Sequence, residues 1–415
     1  MNLLKVSFLT FISTVIKISA GLIINKAVSV YIGPTGIALL GQFQNSSQVA
    51  MTVAQGGINT GVTKYTSEYG AASEELPKLW SAAAKLTLCC SIVVSIFLIL
   101  GSNYLSEYIL KQDKYGYVFV TFGFTVIFFT INQLLLSILN GLKEIKTYIA
   151  INIIQSIYAL FFTTLLIILY GLDGALVALV TNQSVVFVIV LWQLRKHKLI
   201  IMKNFKDKFD NEQCKKLLSY SAIALTSACT VPVSTLLIRD YIGDNLSWSA
   251  AGYWQSMWYI SSMYLMVVTT ALSTYYLPRL SEITSKVELR TEIKNGYLII
   301  IPIVVILSIS IFLLREFIVW LLFTDDFKPM IELFKWQLIG DVVKVASWLS
   351  GFLLIARGAV KLTIFSEIFF STTFFFLSVY FLNHYGLVGM SYAYTVNYVG
   401  HFLFMFYFTR RNILY

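Results

Sequence analysis

The sequence predicts an all-α, polytopic membrane protein with twelve transmembrane helices in two pseudo-symmetric six-helix lobes. Three observations predict it. First, 57% of the 415 residues are hydrophobic and only 13% are charged, whereas soluble domains carry about 25% charged residues. Second, the apolar runs reach about 20 residues, the length at which a helix crosses a bilayer, and the dyad alternation of a membrane barrel is absent. Third, the chain repeats itself: "YGLDGALVALVTN" at 170–182 recurs as "YGLVGMSYAYTVN" at 385–397, an offset of 215.

The first span, 5–30, is punctuated by Lys5, Lys17 and Lys26 and shows no small-residue cleavage site, so it reads as a span rather than a removable signal. The turn "YIGPTG" leads into span 2, 36–62. Spans 3 and 4, 79–101 and 116–140, are plain apolar runs. Spans 5 and 6, 147–169 and 174–194, meet at the turn "YGLDG", and a basic segment, Arg195–Lys216, leads to the second half. Span 7, 215–238, contains Pro232, a hinge or a plain kink. "YIGDN" introduces span 8, 248–276, rich in Tyr and Trp, whose rings either stack on sugars or pack as core. Spans 9 to 12 are 293–314, 329–355, 361–382 and 387–409. Of the four cysteines, Cys89, Cys90 and Cys229 lie in apolar runs and Cys214 in the basic loop, a pattern of packing residues rather than a disulfide framework.

Charge sets the orientation. With the N-terminus cytoplasmic, the cytoplasmic segments hold 21 Lys and Arg and the opposite side five, the bias expected of cytoplasmic loops. Both termini are then cytoplasmic. The net charge of +10 is this topological signal together with attraction to anionic lipid; it does not indicate nucleic acid. The duplication adds a constraint. From 141–196 onto 356–411 there are thirteen identities in 56 gapless positions, and "YIG" and "GQFQ" near span 2 recur as "YIG" and "GYWQ" near span 8. The halves are read as 1–205 and 206–415, related by an axis along the membrane normal, the parallel-repeat class of transporter.

Polar residues inside the spans carry the functional signal. In span 2, Gly41, Asn45, Gln48, Thr52, Gln55 and Asn59 follow at steps of four and three, one face of a helix. Such a face cannot point at lipid; it lines a water-filled cavity or packs on a polar neighbour. Lys17 sits near mid-depth in span 1. Lys26 points to the opposite side, close enough to the outer end to snorkel. Lys64 and Glu68 share a face where span 2 leaves the membrane. In span 10, Gln337, Asp341, Lys344 and Trp348 share a face at steps of 4, 3 and 4. A charge at mid-membrane costs about 2.5–3.5 kcal/mol on insertion scales. Asp341 and Lys344 are therefore either a structural i,i+3 pair or a pair that lines a cavity and exchanges with substrate charge. Glu367, two turns into span 11, is a candidate proton carrier.

No nucleotide-binding, metal-binding or nucleophile motif occurs, and the loops are too short for a soluble catalytic domain, so neither a cofactor nor an enzymatic activity is expected. The lysines of the first half imply an anionic substrate.

The runs "KISAGLIINKAVSVYIGPTG", "GVTKYTSEY" and "FKWQLIGDVVKVASW", in this order, resemble the Wzx-type flippases for lipid-linked oligosaccharides, within the multidrug/oligosaccharidyl-lipid/polysaccharide exporter superfamily. The likeness runs from Lys5 to Arg411 and is strongest to O-antigen and enterobacterial common antigen translocases. It implies two six-helix lobes around a central cavity, in a bacterial inner membrane. It implies that an undecaprenyl-diphosphate-linked oligosaccharide moves from the cytoplasmic to the periplasmic leaflet by alternating access, coupled to H+ or Na+. The implied partners are that lipid-linked substrate, membrane lipid, and the polymerase and chain-length regulator of the same pathway. Lys17, Lys26, Lys64, Asp341 and Lys344 match charged positions of the family. Asn45, Gln48, Thr52 and Gln55 join the lysines as candidate substrate-binding residues, and Asp341 and Glu367 are candidates for coupling. One departure stands out: an acidic residue is expected in span 8 near Ser262, and none is present. The rival functions are a cation-coupled multidrug exporter of the same superfamily, which would favour acidic residues, and a polysaccharide polymerase or ligase, which would need a large outer loop.

The topology is testable. A reporter active only in the periplasm should be silent when fused at Lys206 and active when fused at Lys111; the reverse pattern inverts the orientation.

Overall fold

The computed structural model of the protein describes residues 3–411 other than 196, 198, 199, 208, 209 and 284, and among the described residues there is no strand. In the first half, α1 (Leu3–Tyr31) gives span 1, while α2 (Gly33–Ala54) and α3 (Asn59–Tyr69) divide span 2. α4 (Glu75–Leu100) and α6 (Gly116–Gly141) are spans 3 and 4, joined through the short α5 (Ser102–Leu110). α7 (Ile145–Leu194) covers spans 5 and 6. In the second half, α8 (Asn211–Asn245) is span 7, and α9 (Trp248–Ala271) is span 8, ending in a π-turn at 272–276 before α10 (Leu277–Glu282). α11 (Lys286–Leu313), α13 (Phe334–Ala356), α14 (Val360–Tyr385) and α15 (Gly389–Thr409) are spans 9 to 12, with the short α12 (Arg315–Leu322) after α11 where α5 follows α4.

Among the described residues, eight helical segments are long and apolar enough to cross a membrane, and two of these, Ile145–Leu194 and Lys361–Thr409, each contain two expected spans. The expected spans outside this set are 36–62 and 248–276, the two that carry the repeated "GQFQ" and "GYWQ".

Span 2 is not the unbroken helix that its polar spacing predicts. Gly56 and Gly57 stand at φ 67° and 63°, where a side chain is strained and glycine is not. Gly56 N–H donates to Val53 O at 2.9 Å and Gly57 N–H to Thr52 O at 3.2 Å, the paired bonds that end a helix in a Schellman motif. The stripe is thereby cut. Gly41, Asn45, Gln48 and Thr52 stay on α2, Gln55 caps it, and Asn59 opens α3, its side-chain amide donating to Gln55 Oε1 across the break.

Three pairs of positions related by the repeat share their backbone geometry or close packing. α7 bends at Gly171 (φ 58°, ψ −128°), and its repeat mate Gly386 (φ 61°, ψ −150°) separates α14 from α15. A methyl group at Gly174 would lie 1.9 Å from Leu166 O; at its mate Gly389 it would lie 2.1 Å from Phe381 O, the mate of Leu166. At the ends of α6 and α13, Lys143 (φ 59°) and its mate Gly358 (φ 70°) hold the same left-handed position.

The chain forms two compact units. One runs to Ile32 and resumes over Leu39–Pro232; the other comprises Gly33–Ala38 and continues from Val233. The boundary expected at 205/206 lies upstream of Pro232, the point within α8 where the chain leaves the first unit. In the first unit, Trp80 is fully buried among Ile58, Val62, Leu79, Leu134, Ile138 and Leu217, and its indole N–H donates to Thr66 Oγ1 at 3.0 Å. In the second, Trp254 and Tyr394 are buried with Ile238, Ile242, Ala251, Phe374 and Met390. Thr35 and Ala38, from the start of α2, belong here: Thr35 Oγ1 lies 3.1 Å from Ser249 Oγ on α9, and a methyl group at Gly252 would lie 2.0 Å from Pro34 O.

Lys143 is exposed and lysine is ill-suited to φ 59°, so Lys143→Gly should stabilise the protein by up to about 1 kcal/mol. A rise in the thermal unfolding midpoint of the detergent-purified protein is the expected result.

Candidate functional site

The second unit holds a charged cluster built by three helices. On α13, Gly340 lets α15 approach closely: a methyl group there would lie 2.4 Å from Tyr394 Cδ1. Thr395 Oγ1 donates to Trp336 O at 2.6 Å and Ser391 Oγ to Leu333 O at 3.1 Å, which fixes the register of the two helices. Tyr394 is thereby placed with its hydroxyl beside Asp341, donating to Oδ1 at 2.7 Å. On α9, Ser261 and Tyr264 are three residues apart and so share a face; their hydroxyls donate to Asp341 Oδ2 at 2.7 and 2.8 Å. Asp341 is 0% exposed. Three bonds to a carboxylate, each contributing about 1.5–3 kcal/mol, outweigh an insertion cost of about 2.5–3.5 kcal/mol.

Lys344 makes no direct ion pair with Asp341 in the described structure, although the i,i+3 spacing allows one. Its ammonium donates to the Tyr394 hydroxyl at 3.2 Å, and that hydroxyl in turn donates a hydrogen bond to Asp341. One phenol thus stands between the two charges, accepting from the cation and donating to the anion. The ammonium also lies 5.3 Å from the ring centre of Trp258, 5.1 Å from Trp348, 5.4 Å from Tyr394 and 5.0 Å from Tyr398, all within the range of cation–π attraction. His401 stands close by, with Nδ1 2.7 Å from Ser347 Oγ and its ring against Phe370 and Tyr398. Gln337, one turn before Asp341, is buried with neither end of its amide bonded among the described residues.

A second cluster lies in the first unit, where α3 meets the start of α8. Small residues allow the approach: a methyl group at Gly57 would lie 3.1 Å from Ser221 Cα, and one at Gly61 would lie 3.3 Å from Leu217 Cδ2. Ser221 Oγ donates to Gly56 O at 2.6 Å. Lys64 is exposed, donates to the Tyr220 hydroxyl at 2.7 Å, and lies 5.1 and 5.3 Å from the ring centres of Tyr65 and Tyr220. That hydrogen bond holds the Lys64 ammonium above the usual lysine range. Among the described residues Lys64 forms no ion pair with Glu68. Lys216 donates to Tyr69 Oη at 3.3 Å and pairs with Glu212 at 3.0 Å.

The hydrogen bonds described for the two clusters do not include the other candidates. Lys17 is exposed and Lys26 half-buried on α1; on α2, Gln48 is exposed, and Asn45 and Thr52 are half-buried, as is Gln55 at its cap. Glu367, half-buried on α14, is not among the partners of Asp341. No acidic residue stands near Ser262 on α9; Ser261, the residue beside it, donates to Asp341 of α13. Tyr394, Tyr398 and Tyr220 were not singled out by sequence reasoning. A signal for Tyr394 existed in the repeat, since its mate at offset 215 is Leu179, and those of Asp341 and Lys344 are Val126 and Phe129.

Tyr394→Phe removes the shared hydroxyl and should cost about 1–3 kcal/mol. The cost should shrink in an Asp341→Asn, Lys344→Gln background, where the partners it serves are gone. Equal costs in both backgrounds, read from thermal unfolding in detergent, would show that the bridge couples nothing.

Residues 3–284 match the family described as "Polysaccharide biosynthesis protein". The chain is 29% identical over 402 residues to the lipid III flippase of Escherichia coli strain K12, covering 97% of each chain, and to the same extent to that of Shigella flexneri. Its fold is similar to that of an inward-facing multidrug resistance MATE transporter of the MOP superfamily (TM-score 0.75, 14% identity, 95% of this chain and 98% of that one). It is also similar to the lipid II flippase MurJ in an inward closed conformation (TM-score 0.73, 13% identity, 97% and 87%). With the match extending over more than half of its length, this chain belongs to the polysaccharide biosynthesis protein family.

Proposed function

We propose that the protein is a flippase for lipid-linked oligosaccharide. The observation that carries this reading is its chain-long similarity to lipid III flippases, joined to polar and charged residues inside apolar helices. A glycan on a diphosphate cannot cross hydrocarbon unaided, since unpaired polar groups are costly there. A protein that moves it must offer polar partners at membrane depth and needs no catalytic group. The substrate in this reading is an undecaprenyl-diphosphate-linked unit of the O-antigen type. It passes from the cytoplasmic to the periplasmic leaflet of a bacterial inner membrane by alternating access, with both termini of the protein cytoplasmic.

In this reading Lys17, Lys26 and Lys64 attract the diphosphate, and Asn45, Gln48, Thr52 and Gln55 offer hydrogen bonds along its path. Ammonium groups on flexible stems suit a charged, mobile headgroup. Lys344 meets the glycan end, with Asp341 and Tyr394 holding it in place. Coupling to H+ or Na+ falls to Asp341 or Glu367. The polymerase and chain-length regulator of the pathway would receive the product.

The multidrug-exporter alternative is less well supported. A cationic drug needs an available carboxylate, and Asp341 is fully buried with both oxygens already accepting hydroxyl bonds.

Cells lacking the protein should accumulate the lipid-linked unit on the cytoplasmic leaflet and lose surface glycan. Lys17→Ala combined with Lys64→Ala should lower surface glycan per membrane-inserted protein about tenfold, a loss of roughly 1.4 kcal/mol. If cells lacking the protein still expose single lipid-linked units outside and lack only the polymer, the protein is a polymerase or ligase instead.

A further inference from the structure

We propose that the cavity between the first turn of α6 and the bend of α7 binds an aminophospholipid, a lipid whose headgroup carries a primary ammonium beside its phosphate. The cavity holds about 460 Å3 and is lined by Tyr117 of α6 and by Leu166, Tyr170, Asp173, Gly174 and Val177 of α7. It lies where spans 4 and 6 begin and span 5 ends, the depth at which headgroups and interfacial tyrosines meet. In the orientation proposed above that is the outer leaflet. A methyl group at Gly174 would lie 1.9 Å from Leu166 O, so the turn folds tightly back on Leu166.

The lining selects a cation that can donate hydrogen bonds. Tyr117 donates its hydroxyl to Asp173 Oδ1. Among the described residues Asp173 Oδ2 accepts no bond, and Asp173 forms no ion pair. Tyr117 and Tyr170 are exposed, and among the described residues no other ring packs on either. A carboxylate oxygen and two phenol faces, which carry negative charge density, thus line one space. An ammonium gains there a charge-assisted bond to Oδ2 and cation–π attraction. A metal ion needs several oxygen ligands, and this cavity offers one. A sugar presents hydroxyls on every side, and Leu166, Gly174 and Val177 give them no side-chain partner; the same residues suit the carbons beneath a lipid headgroup. Lys114, exposed at the start of α6, supplies the opposite charge for the phosphate. Its ammonium lies 4.7 Å from the ring centre of Tyr115, near enough for its charge to interact with that of Asp173.

The fold does not demand these residues. Gly171 and its repeat mate Gly386 take the same left-handed conformation, yet the mate of Asp173 is Val388. The mate of Tyr170 is Tyr385, and that ring packs against Phe381, His384 and Tyr392. With the same turn, the second half covers its ring and carries no carboxylate, whereas the first half leaves both open.

The test uses the full-length protein purified in detergent, with native mass spectrometry to count retained lipid. The probes are dioleoylphosphatidylethanolamine, dioleoylphosphatidylglycerol and glucosamine. The first ethanolamine lipid should bind about tenfold more tightly than the first glycerol lipid, about 1.4 kcal/mol. Asp173→Asn, which keeps an oxygen for the Tyr117 hydroxyl, should remove that preference without lowering the binding of the glycerol lipid. Tyr170→Leu should weaken the preference about threefold, and Tyr170→Phe, which keeps the π face, should retain it. Equal binding of the two lipids, or a preference that survives Asp173→Asn, overturns the assignment. Displacement of the ethanolamine lipid by glucosamine also overturns it, since the site would then serve an amino sugar. If Asp173→Asn lowers the binding of both lipids, the fold is damaged and Asp173→Glu decides: a retained preference supports the site, and a lost one overturns it.

Discussion

A carboxylate with no exposure, inside a helix that crosses hydrocarbon, has to be satisfied by the protein. Asp341 is that group, and the second unit is built around it. α9 contributes two hydroxyls from one face, α15 contributes a third, and Gly340 supplies the close approach that brings Tyr394 within reach. Three helices distant in sequence are thereby held to one point. Removing one partner leaves a buried charge short of a donor, which costs more than the bond itself is worth. The same arrangement positions Lys344, whose ammonium makes no direct ion pair among the described residues and is held by π faces and one phenol.

The cluster belongs to one half only. Two helix breaks recur in both halves, as the paired conformations of Gly171 with Gly386 and of Lys143 with Gly358 show, whereas the break at Gly56 and Gly57 has no counterpart in the continuous α9. At the positions of Asp341 and Lys344 the first half carries the buried apolar residues Val126 and Phe129, and at the position of Tyr394 it carries Leu179. The backbone symmetry reflects packing that both halves need. The departures from it fall where one half has taken on a polar task. In the first half polar residues lie along α2, at Lys64, where α3 meets Tyr220 of α8, and on α6 itself, where Thr130 and Asn132 are fully buried.

Much of this was legible in the sequence. Run length and composition gave twelve spans, because the bilayer tolerates only backbone that bonds to itself. The offset of 215 gave the duplication, and the turn glycines fell at the breaks. Steps of four and three marked the face of α13 that holds Asp341 and Lys344. Span 2 shows the limit of that reasoning. Its spacing predicted one continuous face, yet two adjacent glycines adopt left-handed conformations and end the helix at Ala54. Periodicity records which residues would align if the helix continued; it does not record whether the helix continues.

The sequence by itself determined the solvent of this protein, the length and order of its helices and the presence of charge at mid-depth, since each follows from local composition and a fixed rise per residue. Only the tertiary structure decided which groups meet that charge. Asp341 and Lys344 are three residues apart and would pair directly on an isolated helix, but Tyr394, 50 residues beyond Lys344, takes the place between them. A hydrogen bond depends on distances of a few tenths of an ångström, and those are set by how closely α13 and α15 pack at Gly340, which no spacing along the chain encodes.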